Sequence, residues 1–176
     1  DQADVSGFPP MINYRTSEDL AAALEAGKRR NYTVGLDLGQ AADPSAICVL
    51  ETLATPVQQF KQGAEIAPKF EIEHRVVHLE RLPLRTPYPA IVDYVRRMME
   101  TGALRGGALV IDFTGVGRPV FDVFLASGLK PIGLTISTAR EAHKTDQGWS
   151  VGKVELMSAV QARLALGTLK IAAELA

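Results

Sequence analysis

Two aspartates in this sequence each end an apolar stretch close to glycine. Asp37 lies between two leucines, with Gly35 and Gly39 on either side, and Asp112 follows Ala-Leu-Val-Ile and precedes a glycine-bearing turn. An unpaired carboxylate among buried apolar side chains destabilises a fold by several kcal/mol or takes up a proton. Such positions therefore indicate a bound cation or a strong hydrogen-bond donor. The glycines would let another backbone, a metal or a phosphate come close.

The chemistry that two such carboxylates would support is metal-dependent phosphodiester hydrolysis. If their strands are neighbours, an inter-strand spacing of ~5 Å brings Asp37 and Asp112 within reach of one hard cation or a pair of them. Carboxylates suit Mg²⁺ and Mn²⁺, and two such ions ~4 Å apart can activate a water and stabilise the leaving oxygen. For a single aspartate, capping of the following turn is an equally good interpretation. The pair is what favours a metal site.

Two cations near the starts of predicted helices are candidates for contacting phosphate. Arg118 follows the turn Gly115-Val-Gly117, and Lys153 follows Gly152. Both side chains and the turn glycines are candidates for binding the DNA backbone, because cations and backbone amides contact phosphate without reading sequence. A plain surface role is the alternative for each cation. No base-reading motif is visible, so we expect cleavage to depend weakly on sequence.

The elements that must position these residues follow from the apolar periodicity. Strands are predicted from Tyr32 to Asp37, over 45–53, 70–82 and 108–112, and over 130–136. Helices are predicted over 87–102, 120–128 and 153–167, and residues 137–150 are predicted to form a loop. The apolar residues of the last helix, Val154, Met157, Val160 and Leu164, are expected to point inward. The order β-β-β-α-β-α-β-α indicates an α/β fold with a mixed five-stranded sheet flanked by helices. Right-handed crossovers then place the Asp112 strand parallel to and beside the Asp37 strand.

The composition of the chain is that of an ordinary globular protein. Of its 176 residues, 47% are hydrophobic and 22% are charged, which predicts one main domain over 31–176 after a lead-in with a short helix over 1–30. No apolar run approaches the ~20 residues that span a membrane, so we expect a cytoplasmic protein without a membrane partner. The single cysteine, Cys48, is predicted to be a small core residue. The net charge of −1 gives no bulk attraction to nucleic acid, so DNA binding would need a local basic face.

Four segments, in this order, resemble the nuclease domain of tailed-phage terminase large subunits. The resemblance covers the chain from about Tyr32 to its end, and its strength lies in the order of the segments. They are Val34-Gly-Leu-Asp-Leu-Gly-Gln with Asp43-Pro-Ser-Ala-Ile, Leu82-Pro-Leu-Arg-Thr-Pro-Tyr-Pro, Val110-Ile-Asp-Phe-Thr-Gly-Val-Gly-Arg-Pro-Val, and Gly152-Lys-Val-Glu-Leu-Met-Ser-Ala-Val-Gln.

This resemblance implies a ribonuclease H-like fold and a two-metal endonuclease that cuts double-stranded phage DNA during genome packaging in the host cell cytoplasm. It implies that Asp37 and Asp112 bind Mg²⁺ or Mn²⁺, with Asp43 as a further acid at the edge of the active site. The implied partners are double-stranded DNA, the terminase ATPase domain, the small terminase subunit and the portal.

The sequence departs from the family in two respects. It has no glycine loop ending in Gly-Lys-Ser or Gly-Lys-Thr, the phosphate-binding signature of the family's ATPase domain. The family's third metal-binding acid lies beyond the segment that matches 169–172, so we expect a nuclease domain cut short at its C-terminus. Glu141, Asp146 and Glu155 are candidate substitutes, although none stands in a matching context.

Two alternatives come from other classes of protein. The segment Gly35-Leu-Asp-Leu-Gly-Gln also resembles the first phosphate loop of actin, sugar-kinase and heat-shock-chaperone ATPases, and Asp112-Phe-Thr-Gly-Val-Gly resembles their second. The chain would then be a single lobe of an ATP-binding protein. The other alternative is a catalytically silent subunit of a packaging complex.

Overall fold

The computed structural model of the chain describes residues 25, 27–39, 42–57, 69–116, 118–138, 141–172 and 175. The chain divides into two compact units, one of Asp1–Arg30 with Leu53–Ile72 and one of Asn31–Thr52 with Glu73–Ala176. In the first unit, the Arg29 guanidinium lies 5.8 Å from the centroid of the Phe70 ring. The predicted N-terminal helix lies almost entirely outside the described residues. The candidate site belongs to the second unit.

Within the described part of the chain, eight strands form one mixed sheet. They are β1 (Arg29–Asp37), β2 (Ala46–Val57), β3 (Lys69–Arg81), β4 (Ala108–Asp112), β5 (Ile132–Ser137), β6 (His143–Thr145), β7 (Gly148–Gly152) and β8 (Leu169–Ile171). Their order in the sheet is β6-β7-β5-β4-β1-β2-β3-β8. The pairs β1/β4, β4/β5, β5/β7 and β3/β8 are parallel, and β6/β7 is antiparallel.

Three α-helices accompany this sheet among the described residues: α1 (Tyr88–Glu100), α2 (Arg118–Ala126) and α3 (Lys153–Ala165), with a 3₁₀ turn at Gly102–Leu104. Two prolines favour the start of α1. Pro87 is its N-cap residue, and Pro89 lies in the first turn, where a backbone N–H has no acceptor within the helix, so the N–H that proline lacks costs no hydrogen bond. Gly167 follows α3 with a φ of 67°, which suits a glycine after a helix end. None of these helices has both the length and the apolar character needed to cross a bilayer.

The core lies between one face of the central strands and the helices α1 and α2. Alternate residues of β1, β2 and β4 are buried there, together with the inner faces of the two helices. The buried set includes Val34, Leu36, Ile47, Val49, Leu109, Ile111, Ile91, Val92, Val95, Phe121 and Phe124. Because strand side chains alternate between faces, the intervening residues Asp37 and Asp112 lie on the opposite side of the sheet from this core.

The predicted α/β class and the mixed sheet are confirmed, but the number of strands is wrong. The five predicted strands are present, and the described residues add β6, β7 and β8. The hairpin of β6 and β7 lies mainly in the segment predicted as a loop. The sequence did not indicate β6, because all three of its residues are exposed at the edge of the sheet and show no apolar alternation. A strand of three residues such as β8 is too short to give a periodic signal.

The apolar face of α3 is exposed, which corrects the expectation that it points inward. The bounds of this helix agree with the prediction, yet Val154 is 79% exposed and Met157 is 53% exposed, and Val160 and Leu164 are also exposed. Helical spacing of apolar residues identifies a face that favours burial, but it does not identify what covers that face.

Replacement of Gly148 by alanine should strongly destabilise the protein. Gly148 has a φ of 154° and pairs with Gly133 where β7 meets β5. A Cβ at this position would lie 2.0 Å from the Gly133 carbonyl oxygen, so the two strands would have to separate. We expect a loss of about 3 kcal/mol in the free energy of unfolding, measured by urea denaturation.

Gly102→Ala is the matched control, because no atom lies within 4 Å of a Cβ built at Gly102. Its stability should equal that of the parent or exceed it slightly, since alanine lowers the entropy of the unfolded chain. Equal stability of the two alanine variants would show that β5 and β7 are not paired as described.

Candidate active site

Asp37 and Asp112 are partners across neighbouring parallel strands. Asp37 is the last residue of β1 and Asp112 is the last residue of β4, and the register of the two strands places them side by side. The predicted adjacency of the two strands, at the centre of the sheet, is therefore confirmed. Two carboxylates at the carboxyl ends of adjacent strands lie close enough to share a cation.

The two carboxylates form a site whose negative charge is not compensated by an ion pair within the described residues. Partial burial raises the pKa of Asp37, and the neighbouring charges of Asp112 and then Asp43 raise it further. Asp37 is nevertheless exposed to solvent and only partly desolvated, which corrects the expectation that it is buried in an apolar strand. One oxygen of Asp112, Oδ1, accepts a hydrogen bond of 2.8 Å from the backbone N–H of Thr114. Across the described residues, no lysine, arginine or histidine forms an ion pair with any of these three acids.

A tight loop brings Asp43 back toward Asp37. The N–H of Gly39 donates a 3.0 Å hydrogen bond to Oγ of the buried Ser45, and the Ser45 carbonyl accepts a 2.9 Å hydrogen bond from the N–H of Leu82. A Cβ on Gly39 would lie 2.1 Å from the Asp43 carbonyl oxygen. The expectation that a glycine here permits a close approach is confirmed, and the group that approaches is the backbone of this loop.

A cleft of about 540 Å³ adjoins the aspartate pair. Asp37 and Asp112 line it together with Glu80 and Arg81 from the end of β3. The rest of its lining is mainly apolar: Gly35, Leu36, Ala46, Ile47, Cys48, Leu79, Val110 and Leu134. Among the described residues, the cleft therefore presents three acids and one guanidinium beside an apolar floor.

Cys48 is half-buried on the wall of this cleft and is not a core residue in the strict sense. Burial raises the pKa of its thiol, which disfavours the thiolate. The position therefore suits a packing role, but it is not the core position that the sequence predicted.

A smaller pocket of about 260 Å³ lies beside Asp43. Arg85 lines it together with Thr86 and the first residues at the start of α1. Arg85 adopts a φ of 66°, in the left-handed region that non-glycine residues adopt at an energetic cost.

The cations predicted to contact phosphate lie near the end of the sheet that carries Asp37 and Asp112, but outside the cleft. Since β1, β4, β5 and β7 are parallel, their carboxyl ends lie at one edge. Arg118 is the first residue of α2 and Lys153 the first residue of α3, and both are exposed. Gly115 has a φ of 81°, as its turn requires, whereas Gly117 lies outside the described residues.

None of the candidates for a third acid lines the cleft. Glu141, Asp146 and Glu155 are all exposed, and the described residues contain no cluster of three histidine, cysteine or acidic side chains that could hold a metal. Glu80 lies at the cleft, but its Oε2 accepts hydrogen bonds from Tyr94 Oη at 2.7 Å and pairs with His78 Nε2 at 3.1 Å. The hydrogen bond from Tyr94 is the largest cause that lowers the pKa of Glu80.

Sequence reasoning missed Arg81, the one cation among the described residues that line the larger cleft. The available signal was its place at the end of a predicted strand, two residues after Leu79 and therefore on the same face of β3. That signal gives the face of β3 on which Arg81 lies, but not which residues of β3 lie level with Asp37.

Comparison of the chain with protein-family models, with curated proteins and with solved structures finds no match.

Proposed function

We propose that this chain is the nuclease domain of a DNA-packaging enzyme, a metal-dependent endonuclease that cuts double-stranded DNA. The observation that carries the proposal is the pairing of Asp37 with Asp112 at the carboxyl ends of two neighbouring parallel strands. Neither carboxylate has a cationic partner among the described residues, and both line one cleft. A pair of unbalanced acids at an open cleft is the arrangement that a divalent cation would stabilise.

The donor set fits a hard divalent cation. Both groups are carboxylates. Partial burial of Asp37 and the charges near it disfavour its ionised form when no cation is bound. Asp43 is a third acid close to Asp37. Mg²⁺ or Mn²⁺ bound there would activate water and stabilise the leaving oxygen of a phosphodiester. Asp37 and Asp112 would hold the ion, while Thr114, whose N–H binds Oδ1 of Asp112, fixes the orientation of that carboxylate.

The proposal includes a ribonuclease H-like arrangement of the sheet. The order β5-β4-β1-β2-β3 places the two aspartate-bearing strands at its centre, with α1 and α2 against one face. That order, together with the four segments that resemble terminase nucleases, favours cleavage of phage DNA in the host cytoplasm with the ATPase domain, small subunit and portal as partners. Arg118 and Lys153 at the same edge of the sheet would add phosphate contacts outside the cleft.

The test is cleavage of supercoiled plasmid in Mn²⁺, in Mg²⁺ and in EDTA. We expect slow nicking and linearisation that needs a divalent cation and is faster in Mn²⁺, since a site with only two or three carboxylates binds Mg²⁺ weakly and Mg²⁺ gives up its waters reluctantly. Cleavage should weaken steeply between low and physiological salt, because the DNA contacts would be mainly to phosphate.

Calorimetric titration of ATP separates this proposal from the ATP-binding alternative. Plasmid cleavage without ATP binding supports the nuclease. ATP binding without cleavage would favour a single ATPase lobe, and absence of both activities would favour a silent subunit.

A further inference from the structure

The larger cleft contains a cation that the proposed metal chemistry does not use. Arg81 is the last residue of β3, is exposed, and lines the cleft together with Asp37 and Asp112. No other lysine or arginine among the described residues lines this cleft. Its guanidinium is therefore the only described positive charge on the cleft wall.

Arg81 also lacks a partner within the described part of the chain. Several other arginines there are engaged: Arg75 with Glu73, Arg96 with Asp93 and Glu100, and Arg97 with Asp93. Arg81 forms no ion pair or hydrogen bond with another described residue, although three carboxylates line the same cleft. The five N–H donors of its guanidinium therefore have no acceptor among the described residues.

We propose that Arg81 forms a phosphate-binding subsite in this cleft and holds a phosphate of the bound DNA strand beside the one that is cut. This inference rests on the proposed endonuclease function. A guanidinium matches a phosphodiester because its planar donors can bind two phosphate oxygens at once, and it stays charged at every relevant pH.

The position of Arg81 distinguishes it from Arg118 and Lys153. Those two cations start helices at the edge of the sheet and lie outside the cleft. Arg81 lies on the cleft wall itself, so its contact would be to a phosphate next to the reaction and not to a distant part of the duplex. Loss of this contact should therefore weaken DNA binding and also raise KM for cleavage.

The experiment measures binding of a fluorescein-labelled DNA duplex by anisotropy in EDTA, over a series of salt concentrations, for the parent, Arg81→Ala and Arg81→Lys. The control is Arg105→Ala, because Arg105 is exposed and precedes β4 at the end of the strand opposite Asp112. We expect Arg81→Ala to lower affinity roughly tenfold and to reduce the slope of log K against log salt by about one phosphate contact. Arg81→Lys should keep the slope and recover part of the affinity, since it keeps the charge and loses the planar fork.

The remaining outcomes separate the subsite from the proposed function. If the parent cuts plasmid and Arg81→Ala binds DNA with the affinity and slope of Arg105→Ala, the subsite is wrong and the nuclease stands. If the parent neither cuts nor binds DNA, the nuclease proposal fails, and ATP titration decides the subsite. ATP affinity that falls in Arg81→Ala but not in Arg105→Ala would then assign the subsite to a free nucleotide, and no difference would overturn it.

Discussion

Replacement of Asp37 or Asp112 by asparagine is expected to abolish Mn²⁺-dependent plasmid cleavage while the fold remains intact. Each change removes one of the two paired carboxylates that would hold the cation, and asparagine keeps nearly the same shape. We expect cleavage to fall at least about a thousandfold, which corresponds to roughly 4 kcal/mol of transition-state stabilisation. Circular dichroism of each variant checks that the sheet and helices are retained.

The same variants should be slightly more stable than the parent when no metal is present. The pKa of Asp37 is raised above its ordinary value of 3.8, so the folded chain binds that proton more tightly than the unfolded chain does. The stabilisation by this proton is complete below the ordinary value and is lost as the pH rises through the raised value. Asp37→Asn should therefore melt up to about 3 °C above the parent at neutral pH in EDTA, and the difference should vanish as the pH falls toward 3.8.

Asp122→Asn is the matched control for both measurements, because Asp122 is exposed on α2 and does not line the cleft. It should cut DNA and melt like the parent. Asp37 and Asp112 would lose their assigned role if either asparagine variant cut plasmid at the parental rate.

Gly39→Ala is expected to impair both stability and cleavage, although it leaves every acid in place. The new Cβ would lie 2.1 Å from the Asp43 carbonyl oxygen and 2.5 Å from the Pro44 carbonyl carbon. Both are backbone atoms, so the loop must move. Movement would break the 3.0 Å hydrogen bond from Gly39 to Ser45 and carry Asp43 away from the aspartate pair. We expect about 2 kcal/mol lower stability in urea and a cleavage rate reduced at least tenfold.

Gly35→Ala is the control for the stability measurement. A Cβ at Gly35 has its nearest neighbour at 3.7 Å, the Cys48 carbonyl oxygen, which is an ordinary contact. Its free energy of unfolding should stay close to that of the parent. If Gly39→Ala matched Gly35→Ala in stability and cut DNA at the parental rate, the loop would not position Asp43.

The centre of this fold was predictable because its strands carry strong local signals. Four apolar residues before Asp112 and a proline at the start of α1 identify elements from short stretches of sequence, and right-handed crossovers then place β4 beside β1. The aspartate pair follows from these facts alone. Its predicted metal and nuclease roles remain predictions.

The parts that sequence did not reveal depend on contacts between distant elements. The exposure of Asp37 depends on what covers its face of the sheet, and the place of Arg81 in the cleft depends on which residues of β3 lie level with Asp37. The polar segment β6 is recognisable as a strand only from its pairing with β7. Periodicity in one segment carries no information about such neighbours.

The pairing of β1 with β4 also governs when the site can exist during folding. Asp37 and Asp112 are far apart in sequence, and two strands, a helix and their connections separate them. Parallel pairing over such a distance closes a long loop, which makes it a slow step compared with formation of helices or of the β6/β7 hairpin. A partly folded chain, even one with its helices formed, would hold its two aspartates apart. Nuclease competence would then be among the last properties that the chain acquires, and a newly made or damaged chain would pose little danger to DNA.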